Sequence, residues 1–130
     1  MEEAEPAPGT IRGTILAESL TPGTVLDGHG MRIIRWSRYE VSDTASYQPP
    51  VWTAIDFEAP ERNGIALADQ LADRLLSPGW YANWNSHDEA TIVFPGKVFR
   101  YPRGDATGRR AAQNHGRRCG VPEPQLDWTD

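Results

Sequence analysis

Residues 63–101 read NGIALADQLADRLLSPGWYANWNSHDEATIVFPGKVFRY, and this stretch decides the fold class. Ile65, Leu67, Ala68, Leu71, Ala72, Leu75 and Leu76 recur at helical spacing, with Asp69, Gln70, Asp73 and Arg74 mainly opposite. That is the pattern of a helix with one face to bury. Asn63 stands where an N-cap belongs, and Ser77-Pro78-Gly79 stops the helix because proline cannot continue it. Three short runs follow: Gly79 to Trp84, Glu89 to Phe94 and Lys97 to Tyr101. In the first, alternation places Trp80, Ala82 and Trp84 on one face. Asn85-Ser86-His87-Asp88 and Pro95-Gly96 separate the runs and have turn compositions. Consecutive strands joined so briefly pair antiparallel. The stretch therefore predicts a helix followed by an antiparallel meander.

Working outward toward the N-terminus, Val51 to Glu58 alternates well: Val51, Thr53, Ile55 and Phe57 point one way, Trp52, Ala54, Asp56 and Glu58 the other. Met31 to Val41 also reads as a strand, with Ile34, Trp36 and Arg38 on one face and Ile33, Arg35 and Ser37 on the other. Thr10 to Ala17 is a shorter, weaker strand candidate, and Thr21-Pro22-Gly23 and Asp27-Gly28-His29-Gly30 are turn clusters. Toward the C-terminus, Asp105 can cap a second helix over Ala106 to Arg118, closed by Gly120 and Pro122. Its inward stripe (Gly108, Ala111, Ala112, His115, Cys119) is small, which calls for close packing. Leu126 and Trp128 are expected to pack back onto the body. The order is strands, helix, three strands, helix. It predicts an α+β two-layer sandwich, a mainly antiparallel sheet with two helices on one face, and a ferredoxin-like variant is one layout it allows. Residues 1–9 are acidic and proline-rich and predict a flexible tail, leaving 10–130 as a single α+β domain.

The composition sets the class of protein. A length of 130 residues suits one domain. Hydrophobic residues make up 38%, and the 12 Gly and 11 Pro point to many turns, while five Trp, four Tyr and three Phe supply large buried areas. Cys119 is the only cysteine, so no intrachain disulfide is available. The opening Met1-Glu2-Glu3-Ala4-Glu5-Pro6 is the reverse of a signal peptide, and no apolar run reaches the length of a membrane span. The expectation is a cytoplasmic protein without a membrane partner, its oligomeric state left open. A net charge of −5 argues against broad nucleic-acid binding, which runs on basic surface. Of the 13 basic residues only Lys97 is lysine, a bias that reads as high-GC bacterial coding.

The stretches from Trp80-Tyr81 through Val93-Phe94-Pro95-Gly96-Lys97-Val98-Phe99-Arg100-Tyr101-Pro102-Arg103-Gly104-Asp105, and from Gly120-Val121-Pro122-Glu123 to Leu126-Asp127-Trp128, resemble small uncharacterised actinobacterial proteins. The resemblance implies a bacterial, free-standing domain. It implies no activity, cofactor or catalytic residue.

Two sets of residues could carry chemistry. His87 with Asp88 and Glu89 could act as an acid/base in a small cofactor-free enzyme of specialised metabolism; the same residues also suit an ordinary hairpin turn. Trp80, Tyr81, Trp84, Arg100, Tyr101 and Arg103 could form an aromatic and arginine surface for a protein partner or a small organic or anionic ligand. The competing reading is that the aromatics fill the core and the arginines are solvated. His115 and Cys119, four apart on one helix, could in principle ligate a metal, but a closed zinc site needs four ligands and no second cysteine exists; no metal or cofactor is expected. With no nucleophile elbow and no phosphate-binding glycine motif, the preferred reading is a binding or interaction module, accessory, immunity-like or regulatory. Whether the protein is an enzyme stays open.

Overall fold

The computed structural model describes residues 5–130. Six strands form one sheet: β1 (Thr10–Leu16), β2 (Arg32–Glu40), β3 (Val51–Pro60), β4 (Ala82–Asn85), β5 (Glu89–Phe94) and β6 (Lys97–Pro102). Their order is β2-β3-β1-β4-β5-β6, and every neighbouring pair is antiparallel. Among the described residues there are two α-helices, α1 (Gly64–Arg74) and α2 (Ala106–Arg118). The α+β class with an antiparallel sheet and two helices is as the sequence predicts. Of the segment expected to form a tail, residues 1–4 lie outside the described residues. Glu5 ion-pairs with Arg103 at 2.7 Å, Pro6 is buried, and Gly9 accepts from the Glu61 N–H at 2.8 Å.

The weak strand candidate β1 lies at the centre of the sheet, paired along its whole length with β3 and through Arg12–Thr14 with β4. Since β3 and β4 both run antiparallel to β1, they are parallel to each other, and α1 is the crossover between them. Gly13 permits this three-way seam: a Cβ there would lie 2.5 Å from Trp84 Cβ and 2.7 Å from its Cα. β2 forms one edge, with a bulge between Ile33 and Arg35. The extra residue resets the alternation, so Ile33 opposes Phe57 and Trp36 opposes Ile55 on the same face, instead of the opposite faces that strict period two gives.

The placement of the helices corrects the sequence reading. Opposed residues of paired strands share a face, so the register assigns every position. Ile11, Ile15, Phe57, Ala59, Ala82, Trp84 and Val93 lie on one face, where Leu67, Ala68, Leu71 and Leu75 of α1 cover them. Ala90, Ile92, Phe94 and Tyr101 lie on the other, where α2 packs through Ala112, joined by Val121, Leu126 and Trp128. The two helices therefore occupy opposite faces, not one, and the layers are helix, sheet, helix; a ferredoxin-like layout with both helices on one side differs in this respect. The reason lies in β5, whose residues are buried on both faces, Val93 toward α1 and Ile92 and Phe94 toward α2. A strand apolar on both sides needs cover on both sides.

The helix ends follow local chemistry. Asp105 Oδ1 accepts from the Thr107 N–H at 3.2 Å and caps α2, as its sequence predicts. Asn63 makes no cap bond at α1; its Nδ2 donates instead to the His29 carbonyl at 2.7 Å. That bond, with Gln70 Nε2 donating to the Val25 carbonyl and Gln70 Oε1 meeting His29 Nε2, ties the 20–31 connection onto α1. No helix among the described residues is long and apolar enough to cross a membrane.

Candidate functional site

On the face that α2 occupies, the helix covers the β5–β6 side, and the half over β3, β1 and β4 holds a cleft of about 270 Å³. Its floor is set by strand alternation. Leu16 and Thr14 of β1, Trp52 of β3, Tyr39 of β2 and Asn83 of β4 all point to this side. Trp80 joins them from the segment before β4. The Trp52 and Trp80 rings lie 5.1 Å apart, tilted by 53°, and Tyr39 meets Trp52 edge-on at 6.5 Å. Trp52 and Trp80 are only 7% and 4% exposed, whereas Tyr39 is 44% exposed at the mouth. The Trp52 indole N–H is held by the Pro49 carbonyl at 2.9 Å.

The rim is built by chain segments far apart in sequence. Gln48 and Gln125, 6% and 8% exposed, form a reciprocal amide pair: Gln48 Nε2 donates to Gln125 Oε1 at 3.1 Å and Gln125 Nε2 to Gln48 Oε1 at 2.8 Å. Gln48 Nε2 also donates to the Gly79 carbonyl, Gln125 Nε2 donates to the Asp43 carbonyl, and the Ala45 N–H donates to Gln48 Oε1. The β2–β3 loop, the turn before β4 and the C-terminal segment are thereby joined around the cleft. Tyr47 adds a bond from its hydroxyl to the Gly120 carbonyl, and Tyr81 donates to the Gln125 carbonyl at 2.5 Å.

The electrostatics of the cleft are one-sided. Asp43 and Asp127 line it, and no Arg, Lys or His does. Burial raises the Tyr39 phenol above its ordinary range, and the negative charges of Asp56, Glu18, Asp127 and Asp43 raise it further. Burial likewise pushes the Tyr81 phenol up, aided by Asp127 and opposed by Arg109. Both phenols are neutral donors at pH 7. A smaller recess continues along β1 past Arg12 and Asn85 and shares Thr14, Tyr81, Asn83 and Asp127 with the main cleft.

The structure brings together only part of the aromatic and arginine set. Trp80 and Tyr81 line the cleft. Trp84 is fully buried on the other face, edge-on to Phe57 under the α1 layer. Tyr101 is buried in the α2 layer, where its hydroxyl donates to Asp130 at 2.6 Å and accepts from Trp128 Nε1 at 2.7 Å; burial, then the Asp130 bond, push its phenol up to about 12. Arg100 is exposed on the edge strand β6, opposite Thr91 and away from the cleft. Arg103 is committed to Glu5 and to the carbonyls of Ser86 and His87. The residue that alternation misassigns is Trp80: β4 begins only at Ala82, so period two cannot be carried back from Trp84.

His87 and Asp88 sit at the exposed turn between β4 and β5, with His87 Nδ1 2.9 Å from Asp88 Oδ1, Glu89 opens β5, and none of the three lines either recess. His115 and Cys119 touch, Sγ to Nε2 at 3.2 Å, beside Phe94 and Phe99. Burial, with Arg118 and Lys97 nearby, lowers the His115 pKa and keeps the ring neutral at pH 7. No group of three or more His, Cys, Asp or Glu side chains placed to hold a metal occurs among the described residues. Tyr39, Asp43, Trp52 and Asp127 belong to the cleft but not to the predicted set. The outward parity of Trp52 was legible; its pairing with Tyr39 across β2–β3 needed the register. In comparison with known proteins, no family model, no curated protein and no solved structure matches this chain.

Proposed function

We propose that this chain is a small binding module, and that its ligand is an organic molecule seated in the aromatic cleft over β3, β1 and β4. The observation that supports it is the Trp52–Trp80 pair, two large rings held at 5.1 Å on the floor of a recess with Tyr39 at the mouth. Ligand sites are concave and largely apolar, with a few fixed polar groups to orient the occupant. Here those groups are Thr14, Asn83 and the two aspartates. The amide staple around the rim gives a preformed recess, which lowers the ordering cost of binding. The enzymatic reading built on His87 has no comparable support, because that group stands on an open turn outside the cleft.

The test is a fragment screen read from the five indole N–H signals in a ¹H–¹⁵N spectrum. Cleft ligands shift Trp52 and Trp80 and leave Trp84, buried in the opposite layer, in place. A screen whose binders all shift signals away from Trp52 and Trp80, or that finds no binder, refutes the reading.

A further inference from the structure

Resting on that reading of the cleft, we propose that its ligand is an organic cation carrying an ammonium group, recognised by ring faces and carboxylates together. Tyr39, Trp52, Trp80 and Tyr81 supply π surfaces, whose negative faces attract a desolvated cation. Asp43 and Asp127 add formal negative charge to the same lining, and no basic side chain there offsets them. The cations close by are already engaged. Arg109 pairs with Asp130 at 3.2 Å and stacks over Trp128, Arg35 holds Asp56 at 3.0 Å, and Arg38 lies 3.7 Å from Glu18. Arg12 lines the adjoining recess and not this one. Tyr39 at the mouth, its phenol raised first by burial, is raised further by the same two carboxylates, Asp43 and Asp127, among others. An anion entering here would meet two carboxylates and no basic side chain, whereas an ammonium head meets aromatic rings and carboxylates in the same lining. Low-dielectric walls concentrate that preference.

The experiment compares choline with 3,3-dimethylbutan-1-ol, a neutral molecule of the same shape, by titration of the indole signals. Choline is expected to bind at least tenfold more tightly and to shift Trp52 and Trp80. The exposed variants Asp127→Asn and Tyr39→Leu, checked for an unchanged fold by circular dichroism, are expected to reduce choline affinity threefold or more, and Asp127→Asn to reduce it by a larger factor than it reduces alcohol affinity. Equal affinities for the two probes overturn the cation assignment while leaving a small-molecule cleft standing. The same holds if neither probe binds but neutral fragments shift Trp52 and Trp80. Absence of any binder at these indoles overturns both.

Discussion

Replacing Gln48 with leucine tests whether the reciprocal amide pair holds the cleft rim together. The Gln48 carboxamide makes four hydrogen bonds, to Gly79, Ala45 and twice to Gln125. Leucine fills nearly the same space but makes none of them. Two of the abandoned partners, the Gln125 carboxamide and the Gly79 carbonyl, belong to buried residues. Each unsatisfied buried group costs about 1–3 kcal/mol, while the half-exposed Ala45 N–H can turn to water. The added apolar burial returns roughly 1 kcal/mol. The net expectation for Gln48→Leu is a loss of about 1–5 kcal/mol, measured as a lower urea midpoint at constant m-value. Gln125→Leu strands the Gln48 carboxamide in the same way. The double variant removes both amides at once, so it is expected to be more stable than the sum of the singles predicts by about 1–2 kcal/mol. A single-variant loss below about 0.5 kcal/mol, the ordinary range for surface changes, or strict additivity in the cycle, would refute the claim that these amides depend on each other.

Three further perturbations address the rest of the architecture. Gly13→Ala drives a Cβ against Trp84 at the β1–β4 seam and is expected to cost about 3 kcal/mol or more, since rigid backbone and Cβ atoms cannot yield; a melting temperature within two degrees of the parent would contradict the seam. Asp105→Ala removes the α2 cap and is expected to cost about 1 kcal/mol, restored by Asn or Ser; chemical denaturation of the four proteins decides it. Tyr101 takes a folded pKa of about 12, above the unfolded value near 10. Its contribution is therefore complete below pH 10 and is lost as the pH rises from 10 to 12. Tyr101→Phe should lessen that alkaline loss in denaturation midpoints taken across the range, and an unchanged alkaline slope would show that this phenol is not the one responsible.

The sequence displays its elements more clearly than their arrangement, for physical reasons visible in particular residues. Helical spacing and period-two alternation are local, so α1, α2 and the β4–β6 meander could be read directly, and so could the opposed faces of Val51 to Glu58. Sheet order is not local. Nothing in Thr10 to Leu16 announces that it lies between two strands, one of them about seventy residues away, and its Gly13 looks like weakness until Trp84 is seen against it. The helix faces were legible in part, because Ile92 to Phe94 is apolar at successive positions, a sign of burial on both sides. The Gln48–Gln125 pair left no signal, since an isolated glutamine in a loop has the composition of a solvated one. The cleft was glimpsed through Trp80 and Tyr81 but not completed, because Tyr39, Asp43, Trp52 and Asp127 come from β2, the β2–β3 loop, β3 and the C-terminal segment.

The same geometry accounts for the position of the cleft. Six strands spaced about 4.8 Å apart span roughly 24 Å across the sheet. One helix, about 10 Å wide, covers only two or three of them. A sheet with a single helix on each face must find other cover for the remaining half of each. On the α1 face the 20–31 connection contributes, bringing Leu20, Leu26 and Met31 against the core. On the α2 face the C-terminal segment brings Val121, Leu126 and Trp128, and it supplies Gln125 and Asp127 to the rim. Beyond that rim Trp52 and Trp80 are packed against each other and walled by loops, not capped by a helix. The surplus of aromatic residues is thus divided by coverage: Trp84 and Phe57 beneath one helix, Phe94, Tyr101 and Trp128 on the side of the other, and Trp52, Trp80 and Tyr39 where neither reaches. Of these last three rings Tyr39 is the one left well exposed, while Trp52 and Trp80 lie beneath it as the floor of the cleft. In the binding role proposed above, the acidic rim over these rings, rather than the arginines further along the chain, is what selects the charge of the ligand.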